Sequence, residues 1–384
     1  MSAPHIQGWC PGALRPMLSG DGWLVRVRPG AGRLTQAQAA GLAVLAARHG
    51  NGLIDLTSRA NLQLRGVTLT AYPALIDGLR VLGLLDNEAV AESRRNLVVT
   101  PFWNSGDGTP ELATALAHAL TSVAAPALPG KFGFAVDCGE SAVLRSTPAD
   151  IRIERGAIGL IVRADGHTTG AQVAENEAVP AAMELARWFS AFKSESRGRM
   201  GGIARQRRLP ARFEVAHAMP PAAPSAQVGP VACGWLAGIE FGQLRADTLA
   251  ELAPLGALRI TPWRMVLIEG IRTAPEVDGL IADPADPLLR VIACSGAPDC
   301  LQGVAATRPL ARALAAHIAP GALLHVAGCA KGCAHSGNAM TLVATPAGFD
   351  LIRNGRASST PDIRSVPSEA VALHLRTAVH APSL

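Results

Sequence analysis

Four cysteines near the C-terminus have residue types and a spacing that could carry out redox chemistry. Cys294 and Cys300 form a C-x5-C pair, 28 residues follow, and Cys329 and Cys333 form a C-x3-C pair. Both pairs lie among glycine and alanine, where a backbone can close around a bulky inorganic group and turn its amides toward sulfur. Four thiolates are the ligand set of a cubane iron–sulfur cluster, so the pattern predicts a redox cluster.

Two other interpretations of these cysteines stay open at this point. Structural zinc sites usually place the two cysteines of a pair two to four residues apart, which C-x5-C does not match. Four unrelated buried thiols would also give four cysteines, but all of them fall within 40 residues and share the same glycine-rich surroundings. A cluster is therefore favoured over zinc and over unrelated thiols.

The composition is typical of a compact enzyme rather than a disordered scaffold. The chain has 384 residues, of which 49% are apolar and 17% charged, so it is long enough for two or three units with sizeable cores. The net charge of +5 favours an anionic partner, and the single tyrosine argues against stacking on nucleic acid. The N-terminal segment shows no secretory signal, and no apolar run reaches the roughly 20 residues that span a bilayer. These features, with an odd number of cysteines, predict a cytoplasmic protein that binds neither nucleic acid nor membrane.

The elements that must position the chemistry include an internal repeat. Segments 54–67 and 258–271 each read as an apolar strand, a threonine, a short break, a second apolar strand and a glycine. Each follows a Gly-x-Leu step and a helix rich in alanine and leucine, and Thr35 with Gln38 predicts a capping box for the first helix. The repeat predicts two half-domains related by a pseudo-twofold axis.

The regions between and after the repeats predict mixed sheets. Thr109 and Pro110 open a helix, a hairpin is expected around Gly156, and a second helix is expected over 179–192. A basic, glycine-broken segment from residue 194 and a proline-rich linker over 218–230 follow. The cysteine pairs bracket a helix over 308–317, and a hairpin and a short helix end the chain. No G-x-G-x-x-G or P-loop pattern supports an internal nucleotide site.

The repeat, the segment TSRANLQLRG, RRNLVVTP at 94–101 and the four cysteines together resemble the nitrite and sulfite reductase superfamily, from about residue 10 to 355. This resemblance implies an α+β fold with two pseudo-symmetric ferredoxin-like half-domains and two mixed α/β lobes. The half-domains would cover 1–85 and 231–288. A tetrapyrrole-binding lobe would cover 86–215, a linker 216–230, and an iron–sulfur lobe 289–384.

In that superfamily the cluster cysteines lie beside siroheme, whose carboxylates are held by arginines and lysines. The resemblance assigns Arg59 and Arg95 to such contacts. Two departures matter more than the matches. The reductases carry Pro-x-Lys-x-Lys for their anionic substrate, whereas this chain keeps Lys131 and replaces the second lysine by Gly133, and Lys331 replaces the asparagine between the last two cysteines. Loss of a cation at the anion site argues for different chemistry on the same scaffold.

Five blocks in order resemble the precorrin-3B synthase subgroup, namely residues 10–12, 16–22, 51–66, 129–137 and 328–335. The resemblance implies a monooxygenase of the aerobic cobalamin pathway that hydroxylates precorrin-3A at the C20 meso carbon and forms a γ-lactone. It also implies a 4Fe-4S cluster, a mononuclear non-haem iron, NADH as indirect reductant through a separate reductase, and dioxygen as co-substrate. A monomer is expected. The cationic residues predicted to surround the substrate rim are Arg26, Arg28, Arg59, Arg65, Arg94, Arg95 and Lys131.

Some assignments stay open. Arg26 and Arg28 alternate along one predicted strand, so their side chains are expected to point the same way. His325 and His335 are more often hydrogen-bonded neighbours of a cluster than iron ligands, and no ligand of a mononuclear iron is assigned. A siroheme-dependent nitrite or sulfite reductase, and a non-catalytic electron-transfer or zinc protein, are the competing functions.

Overall fold

The computed structural model describes residues 10–192, 198–217 and 226–379, which form four β-sheets with helices against them. Residues 1–9, part of the basic segment and most of the predicted linker lie outside the described residues. None of the helices in the described ranges is long and apolar enough to cross a membrane.

The first repeat forms the strands and helices that its pattern predicts. The capping box of Thr35 and Gln38 is present, and the helix behind it buries residues spaced three and four apart, including Leu42 and Ala46. The elements of this region are β1 (Met17–Ser19), β2 (Gly22–Val27), β3 (Arg33–Leu34), α1 (Gln36–His49), β4 (Leu53–Leu56), β5 (Leu62–Val67) and α2 (Tyr72–Val81).

The lobe that follows is a sheet with three parallel strands and an antiparallel extension. Its first helix starts at Thr109, one residue before the predicted start at Pro110, with Gly108 rather than Thr109 as the N-cap, and the hairpin around Gly156 is confirmed. The second helix begins at Glu175, four residues before the predicted start, and contains Pro180. The elements are α3 (Ala89–Arg94), β6 (Leu97–Val99), α4 (Thr109–Thr121), β7 (Phe134–Asp137), β8 (Ile151–Arg155), β9 (Leu160–Ala164), β10 (Thr169–Val173), α5 (Glu175–Phe192), α6 (Met200–Ala204) and β11 (Val215–Ala216).

The second repeat copies the first down to its backbone conformation. Ala31 and Phe241 both have positive φ (49° and 53°) before the Gly-x-Leu step, and Ala60 and Arg264 both have positive φ (53° and 62°) in the turn between the paired strands. The elements are β12 (Gly229–Val231), β13 (Gly234–Ile239), β14 (Gln243–Arg245), α7 (Ala246–Leu252), β15 (Leu258–Ile260), β16 (Met265–Glu269) and β17 (Leu280–Ile281).

The two half-domains exchange an edge strand, which the repeat alone did not predict. β14 of the second half pairs with β4 of the first, and β3 of the first half pairs with β15 of the second. Both strands follow the positive-φ turn that carries the chain across the pseudo-twofold axis. The apolar side chains of both halves consequently belong to one continuous core.

The C-terminal lobe repeats the architecture of the first lobe. In each, three parallel strands with a helix between the first two continue into antiparallel strands. The middle strand, β7 or β19, is buried along its whole length, as expected for a central parallel strand. The elements are β18 (Val291–Ala293), α8 (Arg308–Leu314), β19 (Leu324–Ala327), β20 (Ala339–Thr345), β21 (Gly348–Gly355), β22 (Ile363–Val366) and α9 (Val371–Val379).

Candidate functional site

The four cysteines line one cavity of about 440 Å³ between the C-terminal lobe and the first half-domain. Cys294 directly follows β18, and Cys329 comes two residues after the end of β19, which is the parallel neighbour of β18. Loops at the carboxyl ends of neighbouring parallel strands meet at one edge of a sheet, which is where ligands of such sheets bind. This topology brings together two cysteine pairs that are 28 residues apart in the sequence.

Glycines allow the two cysteine loops to approach each other closely. The backbone N–H of Gly328 donates a hydrogen bond to Cys294 Sγ at 3.1 Å. A Cβ at Gly328 would lie 3.0 Å from the Gly296 Cα and 3.4 Å from that sulfur, and a Cβ at Gly303 would lie 2.5 Å from the Ala297 nitrogen. The glycine-rich surroundings of the cysteines therefore have a direct steric explanation.

The electrostatics of Cys333 show that the four sulfurs share one environment. Cys333 is exposed as a residue, but its thiol faces the cavity, and burial is the main factor that raises its pKa. Lys331 opposes this effect, while the negative charges of Cys329, Cys294 and Cys300 add to it. Four thiolates would repel one another without a cationic group between them. The donor set and the N–H···S bond therefore fit an iron–sulfur cluster.

A mononuclear iron finds no comparable ligand set. Among the described residues, no three His, Cys, Asp or Glu side chains are close enough to hold one metal ion. His325 is fully buried, its ring lies 5.7 Å from that of His335, and three of the four ring nitrogens of the pair have no hydrogen-bond partner. Two imidazoles without a third ligand do not make a facial triad. The residues present do not fit this second iron.

Cationic side chains occupy much of the cavity wall. Of the seven cationic residues predicted for the substrate rim, Arg26 and Arg65 line this cavity. Arg264 and Arg308 were not predicted from the sequence, and Lys331 was noted there only as a departure from the family pattern. The cationic residues that line the cavity are Arg26, Arg65, Arg264, Arg308 and Lys331.

Arg65 is held by two carboxylates and by the backbone of a cysteine loop. Its guanidinium contacts Asp21 and Asp55 at 2.8 and 2.7 Å, and Nη2 donates to the carbonyl of Asp299 at 3.0 Å. Burial by itself would lower the pKa of Arg65, but the two carboxylates outweigh it and raise that pKa. Asp299 directly precedes Cys300, so Arg65 joins the first half-domain to the cluster loop.

Arg26 reaches the cavity from β2 with few partners. It donates to the side-chain oxygen of Gln63 through Nε (3.1 Å) and Nη2 (2.5 Å). Burial is the largest effect on its pKa and lowers it to about 10, while the nearby Cys10 thiol raises it and Arg28 lowers it further. At neutral pH Arg26 therefore remains a charged group in a largely dry setting.

Arg59 reaches across Gly133 to the segment that carries Lys131. Its Nη2 donates to the Lys131 carbonyl at 2.8 Å. A Cβ at Gly133 would lie 3.1 Å from Arg59 Nη1, and the Gly133 N–H donates to Asp150 at 2.9 Å. Burial lowers the pKa of Arg59. The glycine that replaces the reductases' second lysine therefore leaves room for a guanidinium instead.

The remaining rim candidates have partners of their own. Arg28 lies one residue beyond β2 and pairs with Glu92 at 3.0 Å, and unlike Arg26 it does not line the cavity, although both arginines lie near Cys10. Arg95 forms a two-point ion pair with Asp86 at 2.8 Å. Arg94 Nη1 lies 3.5 Å from the Ser122 carbonyl. Lys131 is exposed.

Arg264 had a signal in the sequence that could have identified it. It lies in the turn of the second repeat, one position after the equivalent of Arg59, within the segment TPWR. If the pseudo-twofold relation had been applied to Arg59 as well as to the strands, it would have pointed to Arg264. Gln63 and Arg308 carried no comparable signal.

Comparison with known proteins gives consistent results. Residues 15–82 match the family model of the nitrite/sulfite reductase ferredoxin-like half domain. A ferredoxin–nitrite reductase of Synechococcus elongatus is 26% identical over 81% of this chain and 72% of the relative. The structure of NirA from Mycobacterium tuberculosis superposes with a TM-score of 0.60, 16% identity and coverage of 94% of this chain and 81% of that chain. The nitrite/sulfite reductase-like fold predicted from the sequence is thereby confirmed.

One relative is considerably closer in sequence. A precorrin-3B synthase of a Sinorhizobium species is 31% identical over 389 aligned residues, which cover 92% of this chain and 84% of the relative. The aligned region includes both half-domains and both lobes. The chain thus belongs to the precorrin-3B synthase family within the nitrite/sulfite reductase superfamily.

Proposed function

We propose that this protein hydroxylates precorrin-3A at the C20 meso carbon with closure of a γ-lactone, using electrons delivered through a 4Fe-4S cluster at Cys294, Cys300, Cys329 and Cys333. The observation that carries the proposal is the shared cavity, in which the four cysteines and four buried or half-buried arginines line the same space. A redox centre and a binding site for a polycarboxylate would then be in direct contact.

The reaction balances as a monooxygenation. One atom of dioxygen enters the macrocycle, and the other leaves as water with two protons and two electrons from the reductant. The cluster, when bound, supplies those electrons one at a time. The arginines of the cavity bind and orient the substrate through its carboxylates, since planar guanidinium groups match carboxylates in a two-point geometry.

The contact between Arg59 and Gly133 favours this reaction over reduction of a small anion. In the reductase pattern a second lysine stands at position 133 for the anionic substrate. Here a lysine at 133 would start 3.1 Å from Arg59 Nη1 and 3.3 Å from the Asn96 carbonyl oxygen. The side of the site where sulfite or nitrite would bind therefore lacks the second lysine and holds instead an arginine that is hydrogen-bonded to the backbone of Lys131.

Gly133→Lys is expected to weaken tetrapyrrole binding about tenfold without creating a nitrite or sulfite reductase. The new side chain displaces the Arg59 guanidinium, which we propose contacts a carboxylate at the edge of the bound tetrapyrrole, and loss of one hydrogen bond of a charged group costs about 1.5–3 kcal/mol. Titration of the purified protein with precorrin-3A measures the effect. Gly130→Lys is the matched control, because a Cβ there meets nothing within 4 Å. Equal affinity of both variants for precorrin-3A would contradict a role of Gly133 in substrate binding.

Further parts of the proposal come from the family resemblance. We propose NADH as the indirect reductant through a separate reductase, a monomeric chain, and a cytoplasmic location. The proposal includes no mononuclear iron, because the described residues offer no ligand set for it.

The test of the function is anaerobic purification, counting of iron and acid-labile sulfide, and incubation with precorrin-3A, dioxygen and a chemical reductant. We expect four irons and four sulfides per chain and a product that carries one added oxygen atom as a lactone. A purified protein with the intense bands of siroheme would point to an anion reductase instead. A protein that contains zinc and no sulfide, or that forms no lactone, would contradict the proposal.

A further inference from the structure

The arginines of the cavity wall fall into two classes by their partners. Arg65 and Arg308 are compensated, because Asp55 contacts both of them and Asp21 contacts Arg65. Among the described residues, Arg26 and Arg264 have no carboxylate partner. Uncompensated buried charge is unfavourable unless another group offsets it, so these two arginines need a different explanation from the first two.

Arg264 is placed by the local backbone of the second half-domain. It has a positive φ of 62°, which is uncommon for a residue with a side chain. Its side chain packs on Gly242, where a Cβ would lie 2.8 Å from Arg264 Cγ. The guanidinium donates to the carbonyl of Ala334, the residue after Cys333. Burial, followed by the charge of Arg308, lowers its pKa to about 10, so it is still protonated at neutral pH.

Arg26 has a comparable environment in the first half-domain. The residue is 9% exposed, and its guanidinium donates to the neutral amide of Gln63 and also has the side chain of Cys10 as a hydrogen-bond partner. Gln63 lies on β5, directly opposite Arg26 in the register of the two strands, and also lines the cavity. A guanidinium held by a neutral amide keeps its full charge toward the cavity.

We propose that Arg26 and Arg264 form a two-point clamp for two carboxylates of one polycarboxylate macrocycle, one arginine from each half-domain. The inference rests on the proposed function and names residues that bind its substrate. The clamp spans the pseudo-twofold axis, and the cysteine loops form another wall of the same cavity. In this proposal Arg264 is part of the substrate site, whereas Arg65 positions the cluster loop and does not bind substrate.

The clamp accounts for two features of the cavity wall. A positive-φ arginine and two buried charges without counter-ions are each unfavourable for the folded chain alone. Two ligand carboxylates would offset both charges and bind them in the two-point geometry that guanidinium groups favour. A ligand with a single carboxylate could satisfy only one of the two arginines, so the clamp selects for ligands with several.

Uroporphyrin III is a suitable probe, because it is a stable tetrapyrrole with eight carboxylates, and its binding to the cluster-loaded protein can be followed by fluorescence. Arg264→Gln and Arg26→Gln are each expected to weaken binding tenfold to a hundredfold, the effect of losing one charged hydrogen-bonded contact. The double variant should lose most of the affinity. Arg264→Lys keeps the charge but not the two-point geometry, so an intermediate loss is expected, and this variant carries the test if Arg264→Gln does not fold.

The matched control is Arg80→Gln, which removes an arginine whose side chain is 62% exposed on α2. Iron content and melting temperature should be those of the unaltered protein in all variants used. Wild-type affinity in both glutamine variants, or no binding by the unaltered protein, would overturn the clamp. Conversion of precorrin-3A by the unaltered protein is scored separately. If binding falls as expected but no lactone forms, the clamp stands and the proposed reaction fails.

Discussion

Replacement of Cys333 by serine is expected to remove the 4Fe-4S cluster and to leave the polypeptide folded. Cys333 is the one exposed residue of the four cysteines, so the substitution removes little buried packing. Its sulfur nevertheless faces the cavity together with the other three cysteines and would bind the cluster as a thiolate. Iron, acid-labile sulfide and the electron paramagnetic resonance signal of the reduced protein should all fall to near background.

The control for this prediction is Cys233→Ser. Cys233 lies outside the cavity, with its sulfur 4.0 Å from the Pro101 carbonyl oxygen, and it should keep the full cluster. Lactone formation should disappear in Cys333→Ser and persist in Cys233→Ser. If Cys333→Ser kept four irons and an unchanged resonance signal, the four-cysteine ligand set would be wrong, whether or not the variant still formed the lactone.

The repeat and the cysteine spacing were readable from the sequence because both depend on local patterns. The threonine and glutamine that cap α1, the paired strands and the hairpin around Gly156 are each specified within a few residues. The cysteine pairs follow two apolar strands, and parallel neighbours place such loops together. Local pattern therefore sufficed for these elements, and simple topology explains why the two cysteine pairs lie together.

The strand exchange and the duplicated lobes were not readable in the same way. β3 and β14 have two and three residues, so they carry almost no pattern, and their partners lie about 200 residues away. The lobes share an order of strands, but their loops differ, since those of the C-terminal lobe carry two cysteine pairs and those of the first lobe the single Cys138. Pairing between distant short strands is decided by the assembled core rather than by local propensity.

The roles of the arginines depended on partners that the sequence does not reveal. Arg28 pairs with Glu92, 64 residues away, and Arg95 pairs with Asp86, which lies at the other end of α3. Glu92 also accepts hydrogen bonds from the backbone N–H groups of Ala13 and Leu14, which directly follow residues 10–12. A Cβ at Gly12 would collide with the Glu92 carboxylate. The glycine of the subgroup motif at residues 10–12 therefore has a structural explanation. An arginine near such a motif is not by itself a substrate ligand.

Arg65→Met is expected to destabilise the chain and to loosen the cluster loop. The side chain of Arg65 is 3% exposed, and its removal would leave Asp21 and Asp55 without their main counter-charge. Breaking a buried ion pair in this way typically costs about 3–5 kcal/mol. Urea unfolding followed by tryptophan fluorescence should report the loss, and the iron content after purification should fall even though no cysteine has been changed.

The reason for the cluster loss is the packing around Asp299. Its carbonyl oxygen accepts hydrogen bonds from Arg65 Nη2, from Ser19 Oγ at 2.7 Å and from the Gly20 N–H at 3.2 Å. A Cβ at Gly20 would lie 1.9 Å from the Pro298 carbonyl oxygen, so the turn between β1 and β2 is in direct contact with the loop that carries Cys300. Arg65 is therefore a positioning residue for Cys300 in this interpretation.

Arg65→Lys separates this role from a role in substrate binding. Lysine keeps the charge but cannot contact Asp21, Asp55 and the Asp299 carbonyl at once, so stability and iron content should recover only in part. Arg245→Met, on an exposed ion pair with Asp247, should leave both quantities unchanged. If Arg65→Met kept its stability and its iron but lost affinity for uroporphyrin III, Arg65 would belong to the substrate rim after all. A fall in iron content without any ligand present is the result that only the positioning role explains.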